Sequence, residues 1–78
     1  MEQTVLSKNL SRIMDEQGKS RTELSFDSRI AYPNVAAILT GKTVDPRVST
    51  LMALAAALDV TLNDLVVDHD ANSIKQSA

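Results

Sequence analysis

The stretch that decides the fold is SRTELSFDSRIAYPNVAAILTG, residues 20–41. Ser20 is followed three residues later by Glu23, the pattern of a capping box, so a helix is predicted to begin at Arg21. The apolar pattern resumes at Ile30 after the polar residues DSR, and a second short helix is predicted from Pro33 to just before Gly41. Two short helices joined by a three- or four-residue turn form a helix-turn-helix. The apolar contacts between them would come from Leu24, Ile30, Val35 and Ile38, with Leu39 also on the buried face.

Helical spacing continues on both sides of this pair. Apolar residues at positions 6, 10, 13 and 14 predict a first helix over residues 4–17, ended by Gly18. The stretch DPRVSTLMALAAAL predicts a fourth helix with Pro46 near its start, and Thr61 with Asp64 caps a short fifth helix. The residues of the fourth helix predicted to face inward are Leu51, Leu54, Ala55 and Leu58. The fold class is therefore predicted as all-α, a compact five-helix bundle, with the alanine run 55–57 serving core packing rather than a docking groove.

Length and composition restrict the chemistry. A chain of 78 residues has room for one small domain, placed at residues 1–67, followed by a polar and flexible tail at residues 68–78. The sequence has no cysteine, and its only histidine, His69, lies in that tail. We therefore expect no metal site, no cofactor and no catalytic nucleophile–base set, so the chain is not predicted to be an enzyme. No apolar run approaches the ~20 residues of a membrane span, and a soluble cytoplasmic protein is expected.

The net charge of −2 argues against a nucleic-acid partner until its distribution is considered. Residues 1–47 hold seven basic and six acidic side chains, whereas residues 48–78 hold one basic and four acidic side chains. Binding depends on whether the basic residues share one face, not on the total.

The frame from Leu6 to Val66 resembles the Cro and lambda-repressor type (Xre family) of DNA-binding domains. The motifs that carry the resemblance are GKSRTEL, ILTGK, DPRVSTLMALAAAL and DVTLNDL, in the family's order and at its separations. The resemblance implies a lambda-repressor-like five-helix bundle whose third helix enters the major groove of double-stranded DNA. It also implies a repressor that acts as a homodimer on a palindromic operator, encoded by a bacterium or phage and associated with the nucleoid.

The resemblance assigns roles to individual positions. Tyr32, Pro33 and Ala37 match its base-facing positions, with Asn34, Ala36 and Thr40 beside them. Arg21, Lys42 and Arg47 match its phosphate-contacting positions, and a phosphate contact is the hypothesis for Arg29 as well. Because the outer face of the third helix is small and apolar, we expect specificity from methyl contacts, Tyr32, Asn34 and DNA shape more than from bidentate hydrogen bonds.

Four positions depart from the family pattern. Arg29 stands where the turn usually has glycine, at a cost of roughly 1–2 kcal/mol if the backbone there is left-handed. Ser25 replaces an alanine and is expected to bond a main-chain carbonyl. Phe26 stands at a normally polar position, where it would cover the core or, alternatively, meet a partner; core cover is the prediction. Pro33 is expected to be the first residue of the recognition helix, with Tyr32 just outside it.

Two functions compete. The leading prediction is a sequence-specific transcriptional regulator, and the alternative is a protein-interaction module on the same fold, such as an antitoxin or regulatory subunit. The apolar residues at the end of the fifth helix would form the dimer interface or, alternatively, close the core: Leu62, Leu65, Val66 and Val67. Salt dependence separates the two functions, because DNA binding weakens steeply as salt rises.

Overall fold

The computed structural model describes residues 4–67, and these form five α-helices without a strand. The helices are α1 (Val5–Gln17), α2 (Arg21–Ser28), α3 (Tyr32–Leu39), α4 (Val48–Leu58) and α5 (Leu62–Val66). The all-α, five-helix prediction is therefore confirmed. The predicted tail at residues 68–78, including His69, lies outside the described residues.

Local sequence signals set most helix ends. The Ser20 hydroxyl accepts from the Glu23 N–H while the Glu23 carboxylate accepts from the Ser20 N–H, and Thr61 and Asp64 make the same reciprocal pair at α5. Gly18 ends α1 in the left-handed conformation with φ 65°, which costs glycine no Cβ clash. The following N–H, of Lys19, then bonds the carbonyl of Met14 at 2.9 Å and closes the helix end.

The core lies where α1 packs against α3 and α5 and where α2 packs against α3 and α4. Of the residues of α4 predicted to face inward, Leu54, Ala55 and Leu58 are buried, while Leu51 packs against the core half-buried. Ala56 stays exposed, so only part of the alanine run serves the core. The buried apolar set is Leu6, Leu10, Ile13, Met14, Leu24, Val35, Ile38, Leu39, Leu54, Ala55, Leu58 and Leu65.

The prediction that Phe26 covers the core is wrong. Phe26 is 83% exposed, because α2 turns Leu24 and Ser28 toward the neighbouring helices and Phe26 toward solvent. Leu65 is fully buried, which favours the alternative that it closes the core. Leu62, Val66 and Val67 keep some exposure and stay candidates.

The side chain of Asn9, buried on α1, ties the end of α5 to the rest of the domain. Its Nδ2 donates to the carbonyl of Leu65 at 2.9 Å and to that of Val67 at 2.8 Å. Carbonyls in the last turn of a helix have no partner within the helix, so the amide supplies what α5 lacks. The bonds hold α5 and the residue after it, Val67, against α1.

Replacement of Asn9 by alanine is expected to lower the free energy of unfolding by about 1–3 kcal/mol, because two carbonyls near the core lose their donor. Urea denaturation followed by circular dichroism measures the change. Asn63→Ala is the matched control, since Asn63 is exposed and its side chain makes no hydrogen bond in residues 4–67. Equal destabilisation by both substitutions would contradict the role given to Asn9.

Candidate nucleic-acid interface

The turn between α2 and α3 consists of Arg29, Ile30 and Ala31, the length that a helix-turn-helix requires. Arg29 has φ 61° and ψ 28°, so the turn is left-handed at that residue, and the condition under which a non-glycine residue is strained there is met. The Ser25 hydroxyl donates to the carbonyl of Ile30, and the hydroxyl of the buried Ser28 accepts from the Ile30 N–H at 3.3 Å. The expected carbonyl bond of Ser25 is therefore present, and the two serines hold the turn in one geometry.

Helix α3 begins one residue earlier than predicted. Tyr32 is its first residue and Pro33 its second, so Tyr32 does not lie outside the helix. Proline is tolerated there because the first four N–H groups of a helix have no partner within it, and its missing donor costs nothing. The preference of a residue before proline for extended backbone is outweighed here, since Asn34 and Val35 both bond the carbonyl of Ala31.

The two sides of α3 differ sharply in burial. Val35, Ile38 and Leu39 are buried, as predicted, and they hold the helix on the domain. Helical spacing places Pro33, Ala37 and Thr40 on the opposite stripe, with Tyr32 and Asn34 at its two edges. Pro33, Asn34 and Thr40 are exposed, Tyr32 is 45% exposed, and Ala36 and Ala37 are half-buried.

This outer surface offers few hydrogen-bonding groups. Asn34 carries the one amide side chain on the helix, and neither it nor the Tyr32 hydroxyl is bonded to any residue in 4–67. The Thr40 hydroxyl donates to the carbonyl of Ala37 at 3.3 Å, which leaves its oxygen able to accept. The surface can approach a flat or concave partner closely and can contact methyl groups, with Asn34 and Tyr32 as its polar contacts.

Four cations predicted to contact phosphate lie in the segments that adjoin α2, α3 and α4. Arg21 is the first residue of α2, Arg29 lies in the turn, Lys42 follows α3, and Arg47 is the N-cap of α4; all four are exposed. Within residues 4–67 the ion pairs are Arg12–Glu16 at 3.3 Å and Lys19–Asp27 at 2.9 Å. None of the four is therefore engaged by a carboxylate of the described chain, and each is available to an anionic partner.

The structure places these cations at separate points of the motif. Arg21 lines a shallow depression together with Lys19 and Leu39, so the start of α2 lies beside the end of α3. Arg29 lies at the far end of α2, which at 1.5 Å per residue is about 12 Å long. Lys19 behaves differently: its ammonium donates to Asp27 and, at 3.0 Å, to the carbonyl of Ala57, so it joins α4 to the loop before α2.

Replacing Arg29 by glycine distinguishes the backbone strain at this residue from a contact of its guanidinium with DNA phosphate. We expect the free energy of unfolding to rise by about 0.5–1 kcal/mol, because glycine adopts the left-handed turn without the Cβ clash but loses more chain entropy. Affinity for DNA is expected to fall if the guanidinium contacts phosphate. Thermal unfolding and fluorescence-anisotropy titration of a DNA duplex give the two values. Arg29→Lys is the control, because it keeps both the charge and the strain. Loss of stability in the glycine variant would contradict this account of the turn.

The sequence reasoning missed an apolar surface on α4. Val48 and Met52 are exposed, as is Val44 in the segment before the helix. A signal was present in the sequence, because the eleven residues VSTLMALAAAL include no charged side chain. A helix with one solvent-facing side usually carries charges there.

Two other kinds of feature, a membrane-spanning helix and a cluster of metal ligands, are not found in residues 4–67. No helix within that range is long and apolar enough to cross a membrane. The same residues include no group of three or more His, Cys, Asp or Glu side chains placed to hold a metal ion.

Comparison with known proteins agrees with the geometry. A family model described as a Cro/C1-type HTH DNA-binding domain matches residues 9–71. Protein P2 of Acyrthosiphon pisum secondary endosymbiont phage 1 is 45% identical over 38 residues, which make up 49% of this chain and 40% of that protein. The match therefore spans well under half the length of this phage relative. No solved structure matches the chain at a significant level.

Proposed function

The chain belongs to the Cro/C1-type helix-turn-helix DNA-binding domains, and from that premise we propose that it is a sequence-specific transcriptional repressor. It would bind a palindromic operator as a homodimer, with α3 in the major groove. A cytoplasmic, nucleoid-associated protein of bacterial or phage origin follows from this proposal.

The observation that carries the proposal is an uncharged α3 with a small outer face, together with four exposed cations in the adjoining segments. These cations lie at the start of α2, in the turn, after α3 and at the start of α4, and no carboxylate of residues 4–67 pairs with them. In protein–DNA interfaces the phosphate contacts fix position and the groove contacts carry specificity. Arg21, Arg29, Lys42 and Arg47 are proposed for the first role. The second role is proposed for the outer residues of α3: Tyr32, Pro33, Asn34, Ala36, Ala37 and Thr40.

Two of the cations lie at positions that favour an anion. Arg21 is the first residue of α2 and Arg47 is the N-cap of α4, and a cation at the positive end of a helix dipole is unfavourable by about 0.3–1 kcal/mol. A phosphate bound there would neutralise the arginine and meet free main-chain N–H groups. At α2 the capping box occupies the N–H groups of Ser20 and Glu23, which leaves those of Arg21 and Thr22.

The test is selection of bound duplexes from a random DNA pool by the purified protein, at low and at physiological salt. We expect a palindromic motif with half-sites about 10 bp apart, centre to centre, and affinity that falls linearly with salt on logarithmic axes. Lys42→Ala should reduce that salt slope by about one per subunit without changing the motif. Recovery of no motif at either salt concentration would reject the proposal.

The alternative function, a protein-interaction module on the same fold, is favoured by Phe26. An aromatic side chain 83% exposed on α2, next to the depression formed by Ile30 and Ala31, is available to a protein partner. Binding through such an apolar surface would change little with salt, whereas DNA binding would weaken steeply. The printed name of the phage relative states no function and does not distinguish the two.

A further inference from the structure

The dimer that the proposed function needs must bury apolar surface, and α5 offers little of it. Leu65 is buried, while Leu62 and Val66 expose 37% and 47% of their surface on a helix of five residues. A standard interface buries about 800 Å² on each partner. Two side chains of this kind supply a small part of that area, so the main contact must include another surface.

Helix α4 carries exposed apolar residues along one side. Val48 is 64% and Met52 56% exposed, and Ala56 is exposed as well. The three are four residues apart in turn and therefore share one face; we call them the α4 stripe. A separate depression, lined by Val44, Asp45, Leu51 of α4 and Val66 of α5, does not include the stripe residues.

The absence of charge on α4 indicates which partner fits. A two-fold axis brings residues close to it next to their own copies, so a charge near the axis repels itself. Helix α4 has no Asp, Glu, Lys, Arg or His side chain, a property it shares, among the five described helices, with α3 alone. A charged peptide would need charged groups on this face, whereas a second copy of the chain related by a two-fold axis is favoured by their absence.

The sizes of the side chains on the stripe also complement one another. If two copies of α4 cross antiparallel with Met52 at the axis, Val48 of each lies opposite Ala56 of the other. A branched side chain then meets a methyl group on both sides of the axis, which allows close packing of the helices. We propose that two copies of this chain pair through the α4 stripe, antiparallel about Met52. The need for a dimer rests on the proposed function; the choice of surface rests on the exposure, charge and spacing of α4.

Sedimentation equilibrium of Met52→Glu tests the proposal, with Phe26→Glu as the matched control. Both variants replace an exposed apolar side chain by the same charged one, so their net charges are equal. We expect the unchanged protein and Phe26→Glu to dimerise alike, and Met52→Glu to dimerise at least 100-fold more weakly, with helix content unchanged in circular dichroism. A monomeric unchanged protein, equal dimerisation of all three, or dissociation by Val66→Glu alone would overturn it.

Cross-linking gives a second measurement that does not depend on a destabilising charge. The sequence has no cysteine, so a disulfide can form only at introduced positions. Under mild oxidation Met52→Cys should form a covalent dimer much faster than Phe26→Cys, because a disulfide needs Cα atoms about 4.4–6.8 Å apart. A mixture of Val48→Cys and Ala56→Cys should cross-link to each other faster than to themselves. Equal rates for Met52→Cys and Phe26→Cys, or faster pairing of Val48→Cys with itself, would contradict the antiparallel arrangement.

The two proposals fail in different ways. If Met52→Glu becomes monomeric but the unchanged protein selects no DNA motif, the α4 interface is supported and the repressor function is rejected. If the unchanged protein selects a palindrome and Met52→Glu dimerises as strongly as the unchanged protein, the repressor function is supported and the α4 interface is rejected.

Discussion

Replacement of Ala37 by glutamate is expected to lower affinity for the operator selected by the unchanged protein by at least about 100-fold, or 2.7 kcal/mol. Ala37 lies on the outer stripe of α3, where a larger side chain would hold the helix away from the bases. The carboxylate would also face the phosphates and repel them. Glutamate is a good helix former, and the bond from the Thr43 N–H to the Ala37 carbonyl, 3.0 Å long, involves main-chain atoms only. We therefore expect the fold to survive.

Fluorescence-anisotropy titration measures this affinity, and circular dichroism verifies the fold. Lys8→Glu is the control, because Lys8 is exposed on α1, outside the helix-turn-helix, and its substitution changes the net charge by two units instead of one. A general electrostatic effect would make the control the worse binder. If Ala37→Glu retains normal affinity while folded, α3 does not enter the groove and another surface of the domain must contact the operator.

The largest effect on stability is expected for Leu24→Ala. Leu24 is fully buried on α2, the helix that packs against both α3 and α4. Truncation removes apolar contacts and leaves a cavity, at a cost of about 2–5 kcal/mol. A domain of this size has a total stability of roughly 4–12 kcal/mol, so the loss is a large part of it and the urea midpoint should fall markedly.

Urea denaturation measures the loss, and Phe26→Ala provides the control two residues along the same helix. Phenylalanine is the larger side chain, but it is 83% exposed, so its removal should change the free energy of unfolding by less than about 0.5 kcal/mol. A loss at Phe26 comparable to that at Leu24 would mean that Phe26 covers the core after all. The pair therefore tests the burial pattern of α2 directly.

The sequence by itself determined the helices and most of their ends. The capping pairs Ser20–Glu23 and Thr61–Asp64 and the glycine at position 18 each act within a few consecutive residues, so their effect can be inferred without knowing the rest of the fold. The spacing of apolar residues gave the buried sides of α3 and α4 in the same way. The sequence did not determine the left-handed turn at Arg29, because arginine departs from the family's glycine there and a different turn was not excluded.

The tertiary structure decided which apolar residues are covered. Leu24 and Phe26 lie on one helix and are both apolar, but the neighbouring helices cover one side of it, and the cost expected for exposing phenylalanine led to the wrong prediction. The helical spacing did indicate that Phe26 is exposed. Leu24 and Ser28 are four residues apart and share the buried side of α2, whereas Phe26, two residues from each, lies on the opposite side.

Burial of Leu65 and the bonds of Asn9 to the end of α5 depend on residues more than fifty positions apart in the chain. No local pattern encodes such contacts, because the packing of α1 against α5 creates them. The exposed stripe of α4 is the complementary case, since Val48 and Met52 are apolar and no other helix of the described chain covers them.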